Sequence, residues 1–141
     1  MTINDIKNSD GAGCIFCKII NKEIPSSIIY EDEKFMCFLN INPAVKGHSL
    51  LIPKEHHVWI QDIPDELLAK SFIVTKKIIN SMIIGLDCNH IEIIIDGIKI
   101  PHFHIHLIPR WINDGLPEFE TIKYESDEEK QEFVSKIKNA L

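Results

Sequence analysis

The segment Ile100–Trp111, IPHFHIHLIPRW, places His102, His104 and His106 at every second position. Successive side chains of a strand point to opposite faces, so the alternation predicts a β-strand over 102–109, with three imidazoles on one face and Phe103, Ile105 and Leu107 on the other. The apolar face demands a core. The imidazole face packs poorly and suits metal ligation, phosphate binding, or nucleophilic and acid-base chemistry near neutral pH. His102 and His106 would stand about 13 Å apart along a strand rising about 3.3 Å per residue, too far for all three to share one ion, although adjacent pairs could.

The rest of the chain reads as elements that could bury that strand. CIFCKIINKEIP has helical spacing through Ile15, Phe16, Ile19 and Ile20 and is stopped by Pro25. SSIIYE, KFMCFLNI and HSLLIP are short β-rich runs separated by turn residues, most simply a meander. Pro64, Asp65 and Glu66 open a long helix over 64–84, in which Leu68, Phe72, Thr75, Ile79, Met82 and Ile83 recur at helical steps up to Gly85. HIEIIIDG is a further strand, paired with the histidine strand across a turn at Asp96 and Gly97. SDEEKQEFVSKIKNAL has a Ser cap, an acidic first turn and a basic end, which predicts a C-terminal helix over 126–140. This order implies an α+β fold with a mostly antiparallel five-stranded sheet.

At 141 residues the chain suits a single domain, taken as 14–141 behind a flexible leader, 1–13. It contains no apolar run of about 18 residues, so no membrane span is expected. A net charge of -6 weighs against a DNA or RNA polymer as partner but leaves room for a small nucleotide. With no secretory signal in view, a cytoplasmic location is expected and the cysteines are not treated as a disulfide framework. Cys37 and Cys88 read as small buried residues. Cys14 and Cys17 form a C-x-x-C pair, compatible with zinc, redox chemistry or chance.

Taken in order, CIFCKIINKEIP, FLNINPAVKGHSLLIPKEHH and IPHFHIHLIPR resemble the marks of the histidine triad (HIT) nucleotide-binding family, in its Hint-like hydrolase branch, over roughly Cys14–Arg110. The resemblance implies a HIT-like fold in which His104 attacks the α-phosphorus of a nucleotide and forms a nucleotidyl-histidine intermediate that water hydrolyses. His106 and His48 would orient the nucleophile or contact phosphate. Ile15, Phe16, Ile19, Ile24 and Phe38 match base-pocket positions, although ordinary core packing explains them equally well. Asn40 stands where the family has an acidic ribose ligand. The largest departure is DGIKIPH: Asp96, Ile98 and Lys99 replace the family's Asn and Gly-Gln-Ser/Thr run, and Lys99 is either a phosphate contact or a solvated loop residue.

The same resemblance implies a structural zinc ion held by Cys14, Cys17, His56 and His102, and leaves His57 and His90 as surface residues. It also implies a homodimer through the long helix, where Ile73, Val74, Ile78 and Ile84 offer more apolar surface than one core stripe needs. The implied activity is that of a purine nucleoside phosphoramidase or a hydrolase of adenylylated substrates. The alternatives are a dinucleoside polyphosphate hydrolase and a nucleotide-binding interaction protein with little catalysis.

Overall fold

The structure, a computed structural model, describes residues 11–141. Most of the expected leader, residues 1–10, lies outside the described residues. Gly11–Gly13 form a turn that leads into helix α1, Ile15–Ile20. Gly11 has a φ of +83° and lies so close to the His56 ring that a Cβ would meet it at 3.2 Å, so glycine serves both the backbone and the close approach.

Strands β1 (Ile28–Glu31), β2 (Phe35–Leu39) and β3 (Ser49–Pro53) form the antiparallel meander. Strands β4 (His90–Ile94) and β5 (Ile105–Arg110) form a second antiparallel pair, and β5 adds to β3 to give one sheet of order β1-β2-β3-β5-β4. Both faces of the centre are covered, which is why β2 and β3 read as unbroken apolar runs. On one face Phe35, Cys37, Leu51, Phe103, Ile105 and Leu107 pack with Ile78 and Met82 of helix α2, Asp65–Leu86. On the other, Met36, Phe38, Leu50 and Ile52 pack with Cys14, Phe16 and Ile19 around α1. Cys37 and Cys88 are buried thiols, and burial pushes the Cys37 pKa up to about 12.

Helix α2 differs from its sequence reading in rotation and length. It buries Ser71, Thr75, Ile78 and Met82, while Phe72 is 40 % exposed. Small side chains at 71 and 75 let the helix approach the sheet, and the Ser71 hydroxyl is satisfied by donating to the Leu68 carbonyl at 2.7 Å. The helix runs through Gly85 and ends where Asp87 takes the left-handed conformation. Of the four residues offered as surplus surface, Ile78 is core and Val74 packs against it; Ile73 and Ile84 are exposed. The last helix, α3 (Asp127–Lys138), starts at Ser126, whose hydroxyl accepts from the Glu129 amide at 3.1 Å, and it buries none of its residues.

Candidate active site and metal centre

Only His106 of the three alternating histidines lies within a strand. His102 and His104 precede β5, in a segment where the His102 amide donates to the Ile100 carbonyl and the Phe103 amide to that of His57. The expected strand over 102–109 therefore starts at Ile105, because the backbone ahead of it, entered through Pro101, bonds to a loop instead of to a ladder. The two-faced alternation persists without the ladder: Phe103 joins the α2 core, whereas His102 and His104 meet the Phe16 ring edge-on at 5.8 and 5.2 Å.

Hydrogen bonds fix the protons on the inner histidines. The His104 Nδ1–H donates to the His102 carbonyl at 2.7 Å, so the neutral ring keeps its lone pair on Nε2. The Ala44 amide donates to His48 Nδ1 at 3.0 Å, which leaves the His48 proton on Nε2, 2.9 Å from His106 Nδ1. Neutral His106 then carries its own proton on Nε2. Burial lowers the pKa of all three, that of His106 to about 4, with His104 and His48 adding repulsion there. At His104 the carbonyl bond and Asp96 act against burial. His104 and His106 stack edge to face with centroids 4.7 Å apart. The result is a nucleophilic nitrogen and an N–H donor side by side, both in neutral rings.

The residues matched to a nucleoside pocket divide. Phe16, Ile19 and Phe38 are buried in the α1 core with Ile24 packed against it, and Ile15 is 39 % exposed. Phe16 links this core to His104, and Phe38 meets Phe16 edge-on at 5.6 Å. Asn40 spends its side-chain oxygen on the Asn42 amide, at 2.9 Å, and its backbone N–H on the His48 carbonyl, which leaves its side-chain NH2 as the donor. Lys99 is exposed in the turn that follows β4. Two contributors had no distinctive sequence signal, the Ala44 amide and the Trp59 ring that lies over Gly97; Asp96, noted as a departure from the family's pattern, is brought to the histidines by that turn.

On the other side of His104, the side chains of Cys14, Cys17, His56 and His102 converge, their four ligand atoms all within 4.8 Å of one another. His102 Nδ1 lies 3.4 and 3.5 Å from the Cys14 and Cys17 sulfurs and 3.2 Å from His56 Nδ1, which is 3.3 Å from the Cys17 sulfur. Bonds of about 2.0–2.3 Å to a tetrahedral ion separate its ligands by roughly 3.3–3.8 Å, so these four residues fit a metal ion. His102 Nε2–H donates to the Pro53 carbonyl at 2.8 Å and turns the other nitrogen inward, the outer contact such ligands require. Without a cation the cysteines oppose each other, and burial together with Cys14 pushes the Cys17 pKa up to about 11. His57 is half-buried and pairs with Glu55, and His90 is exposed.

Residues 21–112 match the model of the HIT domain. The chain belongs to the HIT family. Among HIT relatives, an uncharacterized HIT-like protein of Methanocaldococcus jannaschii is 42 % identical over 106 residues, covering 72 % of this chain and 82 % of its own. An adenylylsulfatase of Arabidopsis thaliana is 33 % identical over 91 % of this chain and 69 % of its own. An adenosine 5'-monophosphoramidase of Saccharomyces cerevisiae is 40 % identical over 70 % and 63 %. A HIT family structure from Bacillus subtilis superposes with a TM-score of 0.82 at 33 % identity, covering 92 % of this chain and 97 % of that one. A zinc-bound histidine triad protein from Mycobacterium smegmatis gives 0.70 at 31 % identity, covering 92 % and 98 %. The open antiparallel sheet with three helices is thus the HIT fold.

Proposed function

We propose that this HIT protein is a nucleotide hydrolase that cleaves purine nucleoside phosphoramidates, or related adenylylated compounds, at the α-phosphate. The observation that carries this reading is His104: its Nδ1 is tied to a carbonyl, so the Nε2 lone pair is held ready at neutral pH. Relatives named as a phosphoramidase and an adenylylsulfatase support the reaction class.

His104 Nε2 forms a bond to phosphorus as the P–N bond to the departing amine breaks. The departing nitrogen takes a proton from water, and the ring becomes a phosphorylated imidazolium. The carbonyl 2.7 Å from Nδ1 stabilises this growing positive charge. His106, with its Nε2–H set by His48 and the Ala44 amide, donates to a phosphoryl oxygen as negative charge develops. A hydroxide equivalent then attacks phosphorus, the bond to His104 breaks with its electron pair returning to Nε2, and the nucleoside monophosphate leaves. Phe16 and Phe38, with Ile15, Ile19 and Ile24 around them, supply the apolar side against which the base rests. Asn40 offers the ribose its amide N–H, and Lys99 is a solvated turn residue.

Cys14, Cys17, His56 and His102 would hold zinc; two thiolates and two imidazoles make a closed set that stabilises the fold and leaves no position for substrate. A homodimer through the exposed side of α2 accounts for Ile73 and Ile84. Among the described residues no helix is long and apolar enough to cross a membrane. The test is hydrolysis of a fluorogenic adenosine phosphoramidate by the wild type and by His104→Ala, with bound metal quantified in both. Turnover that disappears in the variant while metal content is unchanged is expected. Equal turnover in both proteins would refute His104 as nucleophile.

A further inference from the structure

The turn between β4 and the histidines carries a carboxylate, Asp96, that pairs with no side chain among the described residues. Gly97 lies so close beneath Trp59 that a Cβ would sit 2.8 Å from the ring, and this contact fixes the course of the turn beside it. One Asp96 carboxylate oxygen and one ring nitrogen each of His104 and His106 lie within 4.8 Å of one another. Asp96 is exposed, and among the described residues it makes no hydrogen bond or ion pair; Lys99, three residues on, is exposed and does not bridge to it. A metal ion is a poor occupant for this trio. His106 Nδ1 is engaged by His48 and its Nε2 holds the proton, so ligation would reverse two tautomers against the Ala44 amide.

A carboxylate beside the nucleophile repels the α-phosphate of every substrate equally, but it treats the departing group differently. His104 has Phe16 and the apolar core on one side and the Asp96 turn on its solvent side. A substrate whose nucleoside takes the apolar side sends its other end across that turn. We infer that Asp96 selects the leaving group, favouring departing amines that carry an additional positive charge and disfavouring anionic departing groups such as sulfate. This rests on the proposed cleavage at His104. The relatives include both a phosphoramidase and an adenylylsulfatase; of these two leaving-group classes, an amine is the one a neighbouring carboxylate repels less. Charges about 6–8 Å apart in a half-solvated site give a preference of roughly five- to tenfold per unit of charge.

The test compares kcat/KM for three size-matched adenosine phosphoramidates whose departing amine bears a trimethylammonium, a tert-butyl or a carboxylate group, using wild type, Asp96→Asn and Asp96→Glu. The wild type should rank cation, neutral, anion. Asp96→Asn, which removes a charge without removing any hydrogen bond, should flatten or invert that order through the remaining Lys99, and Asp96→Glu should retain it. A flat wild-type ranking, or an Asp96→Asn ranking as steep as the wild type's, overturns the inference alone. No turnover of any of the three by the wild type would instead sink the hydrolase reading, and this inference with it.

Discussion

His106 should make the folded chain acid-sensitive in a window set by its own titration. Burial and the neighbouring rings lower its pKa from 6.5 to about 4. Between those values the unfolded chain binds the proton and the folded chain does not, so stability present above pH 6.5 is lost as pH falls toward 4. From pH 7 to pH 5 a group with these two pKa values withdraws about 2 kcal/mol, and its partial solvent contact reduces this to ~1–2 kcal/mol. The comparison is urea unfolding of wild type and His106→Asn at pH 7, 6 and 5. Asparagine keeps an acceptor for the His48 Nε2–H but does not titrate. Protonation of the buried His48 and of the metal ligands is common to both proteins, so the difference between their pH slopes belongs to His106. The wild type should lose that much more stability than the variant by pH 5. Equal slopes would show that His106 is not held neutral, and the proton assignment built on the Ala44 amide would fall with it.

Cys17→Ser should lose its bound metal and at least ~2 kcal/mol of stability, and a chelator should lower the melting temperature of the wild type but not of the variant. A wild type indifferent to the chelator, with no metal bound, would refute the metal centre. Thr75→Val should be neutral or stabilising by up to about 1 kcal/mol, because the buried Thr75 hydroxyl oxygen has no hydrogen-bond partner among the described residues. A loss above about 1 kcal/mol in denaturant melts would mean that the hydroxyl has a partner.

Thr75 also shows where the sequence is hard to read. The five strands are legible because β2 is apolar throughout, β3 is apolar after Ser49, and the turns between strands are polar. The long helix is legible as a helix, but its buried stripe is not. Residue type ranks Phe72 above Ser71, whereas the space between helix and sheet admits only small side chains at 71 and 75. The histidine alternation correctly divides the side chains between two faces. It does not reveal that His102 and His104 precede the ladder, since extended backbone alternates whether or not a strand pairs with it. The least legible contributors are main-chain groups, the Ala44 amide and the His102 and Pro53 carbonyls, which leave no residue-type signature.

Those carbonyls join the two centres. His102 points its ring nitrogen Nδ1 at the cysteines and donates from Nε2 to the last residue of β3, so the cysteine–histidine cluster and the end of the central strand together hold its position. The carbonyl of the same residue accepts from His104 Nδ1 and leaves the lone pair of that ring on Nε2, the nitrogen proposed to react. With His102 in the candidate metal cluster and the proposed nucleophile two residues on, one backbone carbonyl is the physical link between the two sites. On the proposed reading, an ion at the cluster would act on His104 only through this carbonyl, by limiting how far it moves. With the Ala44 amide setting the His48 proton from the other side, His104 and His48 are oriented by main-chain partners, and His106 is oriented in turn through the His48 ring.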